Sequence, residues 1–210
     1  MDLCSGGGGP VLGLARILEE EHGVRPRLTL TDIIPNLQAA RQINEAGGDR
    51  VYLTQPISAT EVPKDIKGVR TVFSGFHHLK PEVAFRLLKD AFESRQHIFI
   101  GETTKRCPSS LRLYGGGPPK QFASLMRRTR PTAAQRLFIF VIPILPLMLG
   151  WDNVVSCLRT YSRREIMGFL SQLQSDGYRW EVGELLNPIL RVQYPYIMGY
   201  PVSPIRCSPP

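Results

Sequence analysis

The run Asp2-Leu3-Cys4-Ser5-Gly6-Gly7-Gly8-Gly9-Pro10 decides how the rest of the chain reads. Four consecutive glycines let the backbone turn tightly and approach a bound group, because no Cβ intervenes. Pro10 suits the first turn of a helix, where its missing N–H would have no partner anyway. The helix that follows, to about Glu21, carries Leu12, Ala15 and Leu18 on one face. After it, the apolar segment Leu28 to Thr31 closes on Asp32. In α/β folds a glycine turn feeding a helix N-terminus points N–H groups at an anionic or carboxylate group. An acidic residue ending the next strand can take ribose hydroxyls.

Spacing narrows the choice. The dinucleotide pattern GxGxxG fails, since its third glycine would fall on Val11 or Leu12, and no GxxxxGK[ST] loop is present. What remains is an acidic residue followed by small residues in alternation: Asp2, Cys4, Gly6, Gly8. This resembles the first motif of class I S-adenosyl-L-methionine-dependent methyltransferases, DxGxGxG, with Cys4 in place of the first glycine. The resemblance implies that Gly6 and Gly8 pass close to the cofactor's amino acid portion. It also implies that Asp2 faces the ammonium directly or through water, that Asp32 holds the ribose, and that Ile33 lies beside the adenine. The plainer readings are an ordinary glycine loop and, for Asp32, an N-cap for a helix beginning at Pro35. Ser58-Ala59 falls where related enzymes carry an acidic residue on the adenine amino group. Ser58 can bond the base more weakly, or belong to a solvated loop.

Beyond this turn the pattern alternates between strand and helix, which predicts an α/β fold with a mostly parallel sheet. Expected elements are a helix over Pro35–Glu45 stopped by Gly47-Gly48, a strand over Val51–Leu53, a strand over Val69–Ser74, a helix over Pro81–Phe92 and a strand over His97–Gly101. Ser162-Arg163-Arg164-Glu165 is a capping box opening a helix to about Gln174. Tyr178–Leu185 and Leu190–Met198 then read as a final antiparallel pair around Asn187-Pro188. Such an ending is the methyltransferase arrangement, so the resemblance spans nearly all of the chain.

Ser74-Gly75-Phe76-His77-His78-Leu79, Ile98-Phe99-Ile100-Gly101-Glu102, Trp151-Asp152 and Leu158-Arg159-Thr160-Tyr161 resemble strings of a bacterial group within that family. Ser74 is taken with the cofactor side. His77 and His78 follow a strand at its carboxyl end, where open α/β sheets bind ligands. A neutral imidazole there could take a proton from a methyl acceptor. Glu102 is the other candidate base. Alternatively, the histidines pack against the helix at Pro81, and Glu102 partners an arginine.

The formal net charge of +8 has one source: between Thr103 and Trp151 there are eight Lys and Arg and no Asp or Glu. This stretch reads as an insert in a single domain over residues 1–210, and it ends in the fourteen-residue apolar run Leu137–Gly150. A membrane-spanning helix needs about twenty residues, and Pro143 and Pro146 would interrupt one. The first expectation is an apolar lid over a substrate pocket; the second is a peripheral membrane contact. A nucleic-acid surface is disfavoured, since few aromatics interleave with the cations.

Cys4, Cys107, Cys157 and Cys207 show no metal-ligand spacing, and no secretory leader is evident, so a cytoplasmic setting without a metal is expected. Only Met1 precedes Asp2, so the expected first strand is largely missing, which reads as a fragment or a misplaced start. The function expected from all this is methyl transfer from S-adenosyl-L-methionine to a small apolar or amphipathic acceptor. The alternative is a non-catalytic module of the same fold that meets a membrane or partner through its insert. Oligomeric state is not encoded in any of these features.

Overall fold

A computed structural model describes residues 1–108, 110, 132, 144–187 and 192–202. The glycine run does what its composition demands: Gly6 (φ 51°) and Gly8 (φ 85°) take left-handed conformations, and Gly8 caps helix α1, Gly9–His22. Cys4 (φ 57°) shares that conformation, which explains why glycine suits the position and why a side chain there is strained.

The elements that follow are β1 (Leu28–Leu30), α2 (Leu37–Ala46), β2 (Arg50–Tyr52), β3 (Arg70–Phe73), a 3-10 turn (Phe76–His78), α3 (Pro81–Glu93) and β4 (Ile98–Gly101). After them come α4 (Ile144–Arg159), α5 (Arg163–Leu170), β5 (Tyr178–Asn187) and β6 (Val192–Pro201). The capping box is formed in full: the Ser162 hydroxyl accepts from Glu165 N, and the Glu165 carboxylate accepts from Ser162 N. α5 stops at Leu170, short of the expected Gln174, and turns follow.

Much of the expected insert, including Leu137–Pro143, lies outside the described residues. Its last part is helical: α4 begins inside the apolar run and continues to Arg159. Pro146 is tolerated because it sits in the first turn, where no intrahelical N–H bond is due.

The sheet is mixed, which corrects the expectation of a mostly parallel one. β1 pairs with β2 and β3 with β4 in parallel, over three and four residues. β4 pairs with β6 antiparallel over four residues, and β6 with β5 over ten. The longest ladder is therefore antiparallel. A connection of a few residues suffices to join antiparallel strands, whereas each parallel pair needs a helical crossover.

Met1–Leu3 fill the place between β1 and β3. Asp2 N donates to Thr29 O and Leu3 N to Thr71 O, while Thr31 N donates to Asp2 O and Thr71 N to Met1 O. Asp2 bridges in parallel to both Leu30 and Thr71. Three residues thus knit β2-β1 to β3-β4-β6-β5.

Apolar cores form on both faces. Leu3, Val72, Leu87, Leu88, Ile98, Ile100, Ile166 and Leu170 pack between the sheet and α3 and α5. Val11, Ala15, Leu28, Leu30, Ala40, Ile43 and Tyr52 pack between β1, β2, α1 and α2. Alternation along β3 and β4 sends Val72, Ile98 and Ile100 to the first core, and Phe73 to the second.

Candidate active site

At the glycine turn, Gly6 N donates to Asp32 Oδ2 at 2.9 Å, crossing from the turn to the end of β1. Asp32 Oδ1 accepts from Ile34 N at 3.0 Å. Each carboxylate oxygen keeps a lone pair, and the half-buried side chain can accept further hydrogen bonds. Asp32 is not the cap of α2. That role belongs to Asn36, whose side chain accepts from Ala39 N at 3.0 Å.

Asp2 is buried beneath the turn rather than open beside it. Thr71 Oγ1 donates to its Oδ1 at 2.6 Å and Ser5 Oγ to its Oδ2 at 2.7 Å. Burial pushes its pKa up, and those two hydroxyls pull part of the way back. Its visible work is to fasten the turn to β3. Burial also pushes the Cys4 thiol up to about 12, so it stays protonated and is no nucleophile at neutral pH.

The glycines divide by what surrounds them. A Cβ on Gly6 would meet nothing within 4 Å, so that position faces open space. A Cβ on Gly8 would press at 3.0 Å on both Ile43 Cδ1 and Leu12 Cδ1. With its left-handed backbone and these two side chains close by, Gly8 disfavours a side chain on packing grounds alone. Sequence reading missed Tyr52, whose buried ring sends its hydroxyl to Gly6 O at 3.0 Å and braces the turn from β2. A large aromatic ending a short strand was the available signal.

Ile57 N donates to Asp32 O at 2.9 Å and brings the following loop against the end of β1. Within it the Ser58 hydroxyl bonds Thr60 Oγ1 at 2.9 Å, and Ala59 packs on the core. Ile33 is exposed beside Asp32.

The second cluster lies at the carboxyl ends of β3 and β4. Ser74 (φ 52°) bonds Thr103 Oγ1 through its hydroxyl at 2.8 Å. Glu102 is buried, and its Oε1 accepts from Phe76 N at 2.9 Å and His77 N at 3.1 Å, anchoring the 3-10 turn. Its Oε2 lies 2.5 Å from His77 Nδ1. A carboxylate can only accept, so Nδ1 carries the proton; in a neutral imidazole Nε2 is then the acceptor. That Nε2 is buried and has no hydrogen-bond partner. His78 lies against His77, ring centroids 4.1 Å apart and planes tilted by 39°, and is exposed. Its pKa is lowered, first by partial burial and then by the neighbouring His77. Glu102 thus partners His77, not an arginine.

The two clusters abut: a Cβ on Gly75, which opens the 3-10 turn, would lie 3.2 Å from Cys4 Cβ. Asp2, Cys4, Gly6, Gly8, Asp32 and Ile33 gather at one end of this line, and Ser74, His77, His78 and Glu102 at the other. Among the described residues, no group of three His, Cys, Asp or Glu is placed to hold a metal ion.

No model of a known protein family matches the chain, and no curated protein does. Solved structures do. The methyltransferase domain of bacterial CtHen1 aligns with a TM-score of 0.54 at 14% identity, covering 96% of this chain and 88% of that one. The plantazolicin methyltransferase BpumL, in complex with a pentazolic desmethylPZN analog and SAH, aligns with a TM-score of 0.55 at 10% identity, covering 96% and 76%. A pericyclic reaction enzyme aligns with a TM-score of 0.52 at 14% identity; this chain spans 42% of its length. At such identities the likeness is one of fold: the chain has the α/β fold of class I methyltransferases. The pericyclic enzyme is a reminder that a shared fold does not fix chemistry, which has to be argued from the site.

Proposed function

We propose that the chain binds S-adenosyl-L-methionine at the glycine turn and transfers its methyl group to a small apolar or amphipathic acceptor. The observation that carries this reading is the bond from Gly6 N to Asp32 Oδ2. It sets an open glycine and a half-buried carboxylate with spare acceptor capacity side by side, ahead of a helix N-terminus. That pairing suits an aminoacyl nucleoside: N–H groups for its carboxylate, Asp32 for its ribose hydroxyls, and exposed Ile33 for its adenine face. BpumL, of the same fold, is solved with SAH, which agrees with that choice. Bound there, the cofactor would supply an electrophilic methyl on a sulfonium.

The remaining residues align the acceptor, exclude water and move a proton. Glu102 accepts from His77 Nδ1 and orients the ring, so a neutral imidazole, once the acceptor displaces what covers Nε2, can receive a proton there from an acceptor O–H or N–H as the new bond forms. Glu102 is a positioning residue in this scheme and His77 the base; His78 flanks it. Exposed Ile34 and Leu37, following Asp32, suit an acceptor with apolar surface.

Calorimetric titration with S-adenosyl-L-methionine and S-adenosyl-L-homocysteine tests the cofactor assignment. Saturable binding of both, weakened by changing Asp32, is expected. Heat indistinguishable from dilution for both compounds overturns the assignment. Binding without labelled product from any extract of small molecules favours the non-catalytic module instead.

A further inference from the structure

α4 is amphipathic in the wrong sense for a helix of a packed domain. Such helices turn their apolar stripe inward and their polar face to water. Here Leu147, Trp151, Val154 and Leu158 recur at i, i+4, i+7 and i+11 and form one stripe, exposed at all but the half-buried Val154. Leu147 is 69% exposed, Trp151 71% and Leu158 52%, with Met148 exposed beside them.

The side turned into the protein is small and polar. Ser156 and Cys157 are buried, as is Thr160 just past the helix end. Thr160 Oγ1 bonds Ser156 O at 2.8 Å and Thr104 Oγ1 at 2.7 Å. Hydrogen bonds fasten the helix, so its apolar stripe is left over.

Charge limits what can cover that stripe. The stripe itself has no ionisable residue. The sequence leading into it, from Thr103 to Trp151, carries eight Lys and Arg without a carboxylate, and Arg159, Arg163 and Arg164 follow its far end. A second copy of the chain would set Arg159, Arg163 and Arg164, exposed at the far end of the stripe, against cations of their own kind. A small acceptor would cover only part of a stripe three turns long. A surface that is apolar within and anionic at its edge satisfies both features.

We propose that the outward face of α4 beds in the plane of an anionic phospholipid bilayer, with Leu147, Trp151 and Leu158 at the acyl boundary and Arg159 at the phosphates. No helix among the described residues is long and apolar enough to cross a membrane, so the contact is peripheral. This inference does not rest on methyl transfer, and its test needs no cofactor.

The full chain is mixed with vesicles of phosphatidylcholine alone, or with about one third phosphatidylglycerol, and followed by co-sedimentation and tryptophan emission. The expected result is binding to the anionic vesicles, weakened by salt, with a blue shift of the emission. That shift disappears in Trp151→Phe, because Trp180 is tied inside by its bond to Leu173 O. Brominated acyl chains should quench Trp151 in the unaltered protein, which needs no variant to fold. Leu147→Ser with Trp151→Ser should lower partitioning at least about tenfold without lowering the melting temperature. Absence of binding, equal binding to both vesicle types, or an unquenched Trp151 overturns the proposal. A dimer dissolved by the same double change would assign the stripe to a second copy. Emission already blue in a monomer without lipid would assign it to the chain's own apolar segment. Both of these results also overturn the lipid contact.

Discussion

At the scale of single residues, Asp32 at the end of β1 and Gly8 in the glycine turn do different work, and substitutions should separate them. Asp32→Ala removes a charged acceptor from the proposed ribose site, so cofactor affinity should fall by about 1.5–3 kcal/mol, as read by calorimetry, and the loss of its bonds to Gly6 N and Ile34 N should also lower the melting temperature. Gly8→Val should act first on stability. Its side chain would be forced into a left-handed backbone and against Ile43 and Leu12, so about 1–3 kcal/mol of stability should be lost in denaturant titration. Glu102→Gln tests the positioning of His77. The amide would present an N–H to His77 Nδ1, turning the imidazole to the other tautomer and placing a hydrogen on Nε2. A fall in kcat of roughly 10²–10⁴ is expected at unchanged cofactor affinity. Unaltered turnover would remove His77 as the base. None of these contrasts is visible in the string Asp2 to Gly9, because sequence shows which positions are glycine but not where an added Cβ would point.

At the scale of elements, termini were legible where local chemistry sets them. The Ser162–Glu165 box, Pro10, Pro81 and Gly47-Gly48 all mark ends within a residue or two of where they occur. Ser162→Ala should cost about 1 kcal/mol in unfolding experiments and leave cofactor affinity unchanged, since the cap serves only the first turn of α5. A stability loss below a few tenths of a kcal/mol would mean that the Glu165 half of the box suffices. α4 escaped the same reading. Pro143, Pro146 and Gly150 are breakers by local rules, yet the helix starts beyond Pro143, has Pro146 in its first turn and passes through Gly150. Its polar inward face also defeats a periodicity search that looks for apolar residues turned toward a core.

At the scale of the molecule, the two strand groups meet on Met1–Leu3, with Asp2 buried at the junction. This places a titratable group where it affects global stability. The Asp2 pKa is raised in the fold, so the protonated form is the one the fold favours. Its contribution is fully present below the ordinary value of about 3.8 and is lost as pH rises through the higher folded value. The stability of the wild type relative to Asp2→Asn should therefore decline with rising pH in that acidic window and level off above it. Denaturant midpoints of both proteins across the range measure this, and a pH-independent difference would show that Thr71 and Ser5 cancel the effect of burial.

The order of elements, the glycine turn with its acidic partner, the histidine pair and the charge-free apolar run are all written in local composition and spacing. These determined an α/β chain with a glycine turn set against an acidic residue at its amino end, because turn, cap and alternation are short-range matters of backbone sterics and hydrogen bonding. The mixed pairing of the sheet, Tyr52 beneath Gly6, the Glu102–His77 contact and the outward apolar face of α4 were settled only by tertiary structure. Each joins residues or surfaces distant in sequence, and which of them meet depends on how the whole chain buries its apolar area and satisfies its buried polar groups together.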